Sequence, residues 1–121
     1  ISKYFERGVV SYSSLSKGEL LGVRRDTLSN FGAVSEQTAS EMARGVRLTA
    51  GTDIGISTTG IAGPSGATRD KPVGMVYIAY SDSSGETVEK HIFSGTRINV
   101  KMRACNAALH LLRKKLEDLG D

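Results

Sequence analysis

"VGMVYIAY" (residues 73–80) is the stretch on which the fold turns. It is short, almost wholly apolar, and rich in Val, Ile and Tyr, which marks a central strand covered on both faces. Downstream, "SDSSGE" (81–86) is turn chemistry and 87–93 returns as a strand, so the two runs predict an antiparallel hairpin. Upstream, "DIGISTTG" (53–60) reads as a strand entering the glycine-rich "GIAGPSG" (60–66), and "GVVSYS" (8–13) reads as a further short strand.

Helices fill the intervals. Ser16 with Glu19 fits a capping box for a short helix through Leu21, with Ser13 and Ser14 as alternative starts and Gly22 as the stop. Asp26 caps a second short turn ending at Gly32. Ser35 caps a longer helix in which Ala39, Met42, Ala43, Val46 and Ala50 recur at helical spacing, and Gly51 closes it. Thr96 caps a final long helix whose Ile98, Met102, Cys105, Leu109, Leu112 and Leu116 form one apolar stripe, expected to lie in the core. This order predicts one α/β domain over residues 1–121, a layered sandwich with a mixed, partly parallel sheet and flanking helices. At 121 residues there is room for one core and not for two.

Composition narrows the function. A 39% apolar and 24% charged chain with no membrane-length apolar run is that of a globular domain without a spanning helix. The net charge of +3 is dispersed and not interleaved with aromatics, which disfavours nucleic acid as a partner and suits a phosphorylated small molecule. Cys105 stands alone, which excludes an internal disulfide and points to a reducing, cytoplasmic setting. One cysteine with the distant His91 and His110 provides no metal-ligand spacing, so the expected chemistry is metal-free and without a cofactor.

Two stretches carry candidate chemistry. In "STTGIAGPSGATRDKPVG" (57–74), glycines at 60, 63 and 66 permit positive φ and close approach of a ligand, at the carboxyl end of a strand. The spacing fits neither a Walker A loop nor a dinucleotide fingerprint, and a strand-connecting loop explains it equally well. In "SYSSLSK" (11–17), Ser14 and Lys17 stand at a Ser-x-x-Lys spacing that occurs readily by chance in a serine-rich run; serines there are more simply caps. Lys17 acts as a base only if burial or a neighbouring cation brings its pKa down toward neutrality. Arg97, in the first turn of the last helix, opposes the helix dipole, a placement that favours an anion nearby.

Four stretches taken together, "FERGVVSYSSLSKGELLGV" (5–23), "FGAVSE" (31–36), "GISTTGIAGPSGATRDKPVGMVYIA" (55–79) and "FSGTRINVKMRA" (93–104), resemble the CinA C-terminal domain family in content and order. That family includes stand-alone nicotinamide-nucleotide amidases. The resemblance implies metal-free deamidation of nicotinamide mononucleotide to nicotinate mononucleotide and ammonia by a serine assisted by a lysine and a tyrosine. The lysine maps onto Lys17 and the tyrosine onto Tyr12, whose hydroxyl either relays the proton or satisfies a buried hydrogen bond. Thr59, Gly60, Ile61, Ala62, Gly63 and Pro64 map onto the loop bordering the pocket, and Arg97 onto a partner for the nucleotide phosphate. The resemblance further implies a homo-oligomer, with a dimer expected. The family's nucleophilic serine sits in a Glu-Ser-Cys-Thr-Gly-Gly-like segment with no match in residues 1–121. The domain is therefore expected to be N-terminally incomplete, missing a strand and adjoining helices, and inactive alone. The alternative function is a non-catalytic nucleotide-binding or assembly module of a CinA-like competence or damage-inducible protein.

Overall fold

The computed structural model describes residues 4–120, the side chains of Ser14 and Gly120 excepted. Four helices and three strands follow in the order α1 (Ser14–Leu21), α2 (Arg25–Phe31), α3 (Glu36–Ala50), β1 (Gly55–Gly60), β2 (Met75–Asp82), β3 (Gly85–Ile92) and α4 (Arg97–Gly120).

Local chemistry sets the helix ends. Ser13 caps α1 by accepting from the Ser16 amide, Ser16 completes the capping box, and Gly22 closes the helix in the left-handed conformation. Ser35 and Gly51 bracket α3 as expected, and the Thr96 hydroxyl accepts from the Asn99 amide at the start of α4. The start of α2 differs from expectation. Its N-cap is Arg24 with no side-chain cap, and Asp26 lies inside the first turn. Glu41 of α3 supplies the missing acceptor, taking the Arg24 amide at 2.8 Å on one oxygen and the Thr27 hydroxyl at 2.5 Å on the other. A tertiary carboxylate thus replaces a local cap.

The sheet has the order β1-β2-β3, with both pairs antiparallel. This corrects the expected mixed, partly parallel sheet. A parallel pair needs a crossover between strands, whereas β1 turns back into β2 through the 61–74 loop and β2 into β3 through Ser83–Ser84. The expected strand at 8–13 forms no strand, so it brings no parallel member to the sheet.

The layers are as expected. Val76, Ile78 and Tyr80 of β2 pack against Val100, Ala104, Ala108 and Leu111 of α4. The alternate residues of β2 turn to the other face, where Ala79 meets Ala39 and Ala43 of α3. Outside α3, a second apolar cluster of Leu21, Val23 and Met42 fastens α1 and the segment after it. Close approach there requires a residue without a side chain: a Cβ on Gly45 would lie 1.5 Å from the Leu21 carbonyl oxygen.

α4 departs from expectation in which face it buries. Ile98, Met102, Cys105, Leu109 and Leu116 all point to solvent, Ile98 at 69% and Leu109 at 61% exposure, and Leu112 alone of the stripe packs against the core. The buried face is the alanine-rich one. Val76, Ile78 and Tyr80 already fill the space between the layers, so the helix meets them with small residues.

Candidate functional site

Lys17 lies in the first turns of α1 and is 7% exposed. Its amine donates to the Ser11 carbonyl oxygen at 3.0 Å, and its backbone N–H donates to the Ser13 carbonyl at 3.1 Å. Burial lowers the pKa of its amine below the ordinary lysine value. The amine is thus desolvated and oriented by a neutral acceptor, the two conditions a lysine base requires. The hydroxyl of Ser14, the other half of the Ser-x-x-Lys pair, lies outside the described residues.

Tyr12 is 85% exposed, and its hydroxyl has no hydrogen-bond partner among the described residues. Among the described residues its hydroxyl thus satisfies no buried hydrogen bond. No hydrogen bond joins Tyr12 to Lys17 among the described residues.

The 57–74 loop is tied down at three points. Thr59, at the end of β1, donates its hydroxyl to the Ala33 carbonyl at 2.7 Å. The Lys71 amine donates to the Phe31 carbonyl at 2.6 Å, and the absent side chain of Gly32 leaves room for it, since a Cβ there would come within 2.9 Å of the amine. Arg97, as α4 begins, donates to the Gly63 carbonyl at 3.1 Å. The Ile61 backbone pairs with Met75 and Gly74, its side chain is buried, and Ala62 packs against the α4 cluster. Gly63 and Gly66 adopt positive φ, Gly60 ends β1 without it, and the Gly63–Pro64 peptide is cis. Among the described residues, the N–H groups of Ala62, Gly63, Ser65 and Gly66 make no hydrogen bond.

Hydrogen bonds of Thr59 and Arg97 thus brace the loop at its two sides, Arg97 on Gly63 and Thr59 on Ala33. The hydrogen bonds of Lys17 and those of the loop share no residue. Lys71 was not singled out from sequence, although it stands in the Lys-Pro-Val-Gly run; its bond to a carbonyl forty residues away has no local signal. His91 bonds Glu89 at 3.0 Å and stacks on Phe93, and His110 is exposed. Among the described residues, no three His, Cys, Asp or Glu side chains cluster in a way that could hold a metal. No helix there is long and apolar enough to cross a membrane.

A buried amine on one helix and a braced glycine-rich loop thus sit on a small α/β domain of four helices and a three-stranded antiparallel sheet. The chain belongs to the CinA C-terminal domain family, whose profile matches residues 1–116. It is 52% identical over 115 residues to a CinA-like protein of Endomicrobium trichonymphae, covering 95% of this chain and 27% of that protein. To a CinA-like protein of Kosmotoga olearia it is 48% identical over 116 residues, covering 96% and 28%. Among solved structures, the competence or damage-inducible protein of Enterobacter asburiae superposes with a TM-score of 0.85 at 38% identity, over 90% of this chain and 69% of that one. The chain spans little more than a quarter of the length of these curated relatives.

Proposed function

We propose that this domain serves deamidation of nicotinamide mononucleotide to nicotinate mononucleotide and ammonia, with Lys17 as the base. The observation that carries the reading is the buried amine of Lys17, its pKa lowered, held 3.0 Å from the Ser11 carbonyl. A serine oxygen adds to the carboxamide carbon while its proton passes to the Lys17 amine. Collapse breaks the C–N bond, Lys17 returns the proton to departing ammonia, and water then hydrolyses the ester to the carboxylate. The free N–H groups at Ala62, Gly63, Ser65 and Gly66 suit an oxyanion or phosphate, and Arg97 at Gly63 adds a cation at the rim. Tyr12, exposed beside this segment, remains the residue for proton relay or substrate contact.

Residues 1–121 contain no match to the family's nucleophile segment, so turnover is expected from protein extended upstream to family length. Ammonia release from nicotinamide mononucleotide by that protein, lost on Lys17→Ala, is the test; full activity in Lys17→Ala overturns the assignment. The names of the relatives speak of competence and damage rather than hydrolysis, which keeps a nucleotide-binding or assembly module as the second reading. Calorimetry showing nucleotide binding without turnover would favour it. A cytoplasmic setting and association into homodimers are part of the same proposal, the exposed apolar stripe of α4 offering surface that such association would bury.

A further inference from the structure

Both ends of Lys17 are referenced to residues 11–13: its backbone N–H to the Ser13 carbonyl and its amine to the Ser11 carbonyl. That segment belongs to no strand, and among the described residues every hydrogen bond that residues 11–13 make lies within residues 11–17. The bonds come from a cluster of serine hydroxyls. Ser13 accepts the Ser16 amide at 3.0 Å as the cap of α1. The Ser16 hydroxyl lies 3.0 Å from both the Ser11 and Ser13 hydroxyls and 3.1 Å from the Ser13 carbonyl, to which it donates. The position of the Ser11 carbonyl over the amine therefore depends on hydroxyls rather than on a sheet.

We propose that Ser13 is a positioning residue for Lys17: by capping α1 and closing the hydroxyl cluster with Ser16, it holds the Ser11 carbonyl over the amine and keeps the side chain folded inward. This rests on Lys17 being the base of the proposed reaction, and it adds a residue that acts through Lys17 without touching substrate. Without the cluster, residues 11–13 keep only their two bonds to Lys17 among the described residues, and the amine exchanges a fixed carbonyl for water. Burial lowers the Lys17 pKa, and no hydrogen bond or ion pair among the described residues joins its amine to a charged side chain, neither to Glu19 on α1 nor to Glu41 or Arg44 on the adjoining α3. Opening the cluster thus raises the pKa toward the ordinary lysine value.

The test is the pH midpoint of Lys17 acylation by acetic anhydride, read by mass spectrometry on the 121-residue chain. Ser13→Ala moves the midpoint up by about half a unit or more, while Ser13→Thr, which retains a capping hydroxyl, leaves it in place. An unchanged midpoint in a Ser13→Ala chain that circular dichroism shows to be folded overturns the proposal. If Ser13→Ala does not fold, Ser16→Ala keeps the cap, removes the hydroxyl partner and carries the same expectation. In upstream-extended protein, Ser13→Ala shifts the acid limb of the kcat profile upward and lowers neutral-pH kcat about tenfold with KM nearly unchanged, as loss of base character requires. A shifted midpoint with no turnover by any variant supports the positioning role and overturns the amidase reading instead.

Discussion

Gly45 of α3 faces the backbone of Leu21 so closely that a Cβ on Gly45 would stand 1.5 Å from the Leu21 carbonyl oxygen. Backbone meets backbone at this crossing, and neither side can swing away as a flexible side chain would. The contact sets how deeply Leu21 and Val23 reach toward Met42 and, through α1, where Lys17 is held.

Gly45→Ala is therefore expected to destabilise the domain by about 3 kcal/mol, the upper range for overpacking, whereas the same change at Gly22, where a Cβ meets nothing, carries only the cost of its positive φ. Paired urea denaturation curves check the difference. Equal midpoints for the two variants would contradict the crossing as described.

The β2–β3 turn predicts an acid transition. Asp82 accepts from the Ser84 hydroxyl, from the Tyr80 hydroxyl at 2.8 Å and from the Ser84 amide, which lowers its pKa to about 2. A depressed folded pKa stabilises the fold above the unfolded value, and that contribution is lost as pH falls toward about 2. Thermal melts between pH 5 and 2 should show a steeper loss in the native chain than in Asp82→Asn, which lacks the titrating group. At the other extreme, the Tyr80 hydroxyl, buried and bonded to Asp82, titrates only at about 12.

Lys17 predicts a slope of the same sign in alkali. With the folded pKa below the unfolded one, the unfolded chain holds more protons between the two values, so stability rises with pH across that window. Lys17→Met should flatten this rise. Melting temperatures from pH 7 to 10.5 measure it, and parallel curves for the two chains would exclude a lowered pKa.

On α4, neighbouring positions should behave in opposite ways. Leu111→Ala, in the core, is expected to cost about 2–5 kcal/mol. Leu109→Glu, on the exposed stripe, should leave stability nearly unchanged and reduce concentration-dependent association. Sedimentation velocity over a concentration series reads the second effect.

These outcomes divide along the same line as what the sequence could reveal. Ser35, Thr96, Gly22 and Gly51 mark helix ends through bonds made within a few residues, and such chemistry is legible locally, whereas at α1 the capping box forms between Ser13 and Ser16 rather than between Ser16 and Glu19 because several serines in one run compete for the cap. Residues 8–13 have strand composition, yet a strand exists only when another pairs with it, and that information lies elsewhere in the chain. α4 is apolar on two faces, and spacing cannot tell which one the sheet will take. The bulk of Ile78 and Tyr80 decides it in favour of the alanines. At the candidate site, residue types and spacing drew attention to Lys17, Arg97 and the glycine loop, while the roles proposed for them came from the resemblance to the CinA C-terminal domain family. The Glu41 cap on α2 and the clamp of Lys71 on Phe31 were not, because each joins residues distant in the chain.

The outward stripe of α4 also bears on the thermodynamics of the whole chain. Apolar surface that is already wet in the folded state contributes nothing to the hydration change on unfolding. Calorimetry should therefore give this domain a smaller heat-capacity increment, and denaturant titration a shallower slope, than a fully covered domain of 121 residues. Covering Ile98, Met102, Leu109 and Leu116 would raise both quantities together and sharpen a curve of stability against temperature that is otherwise broad and low.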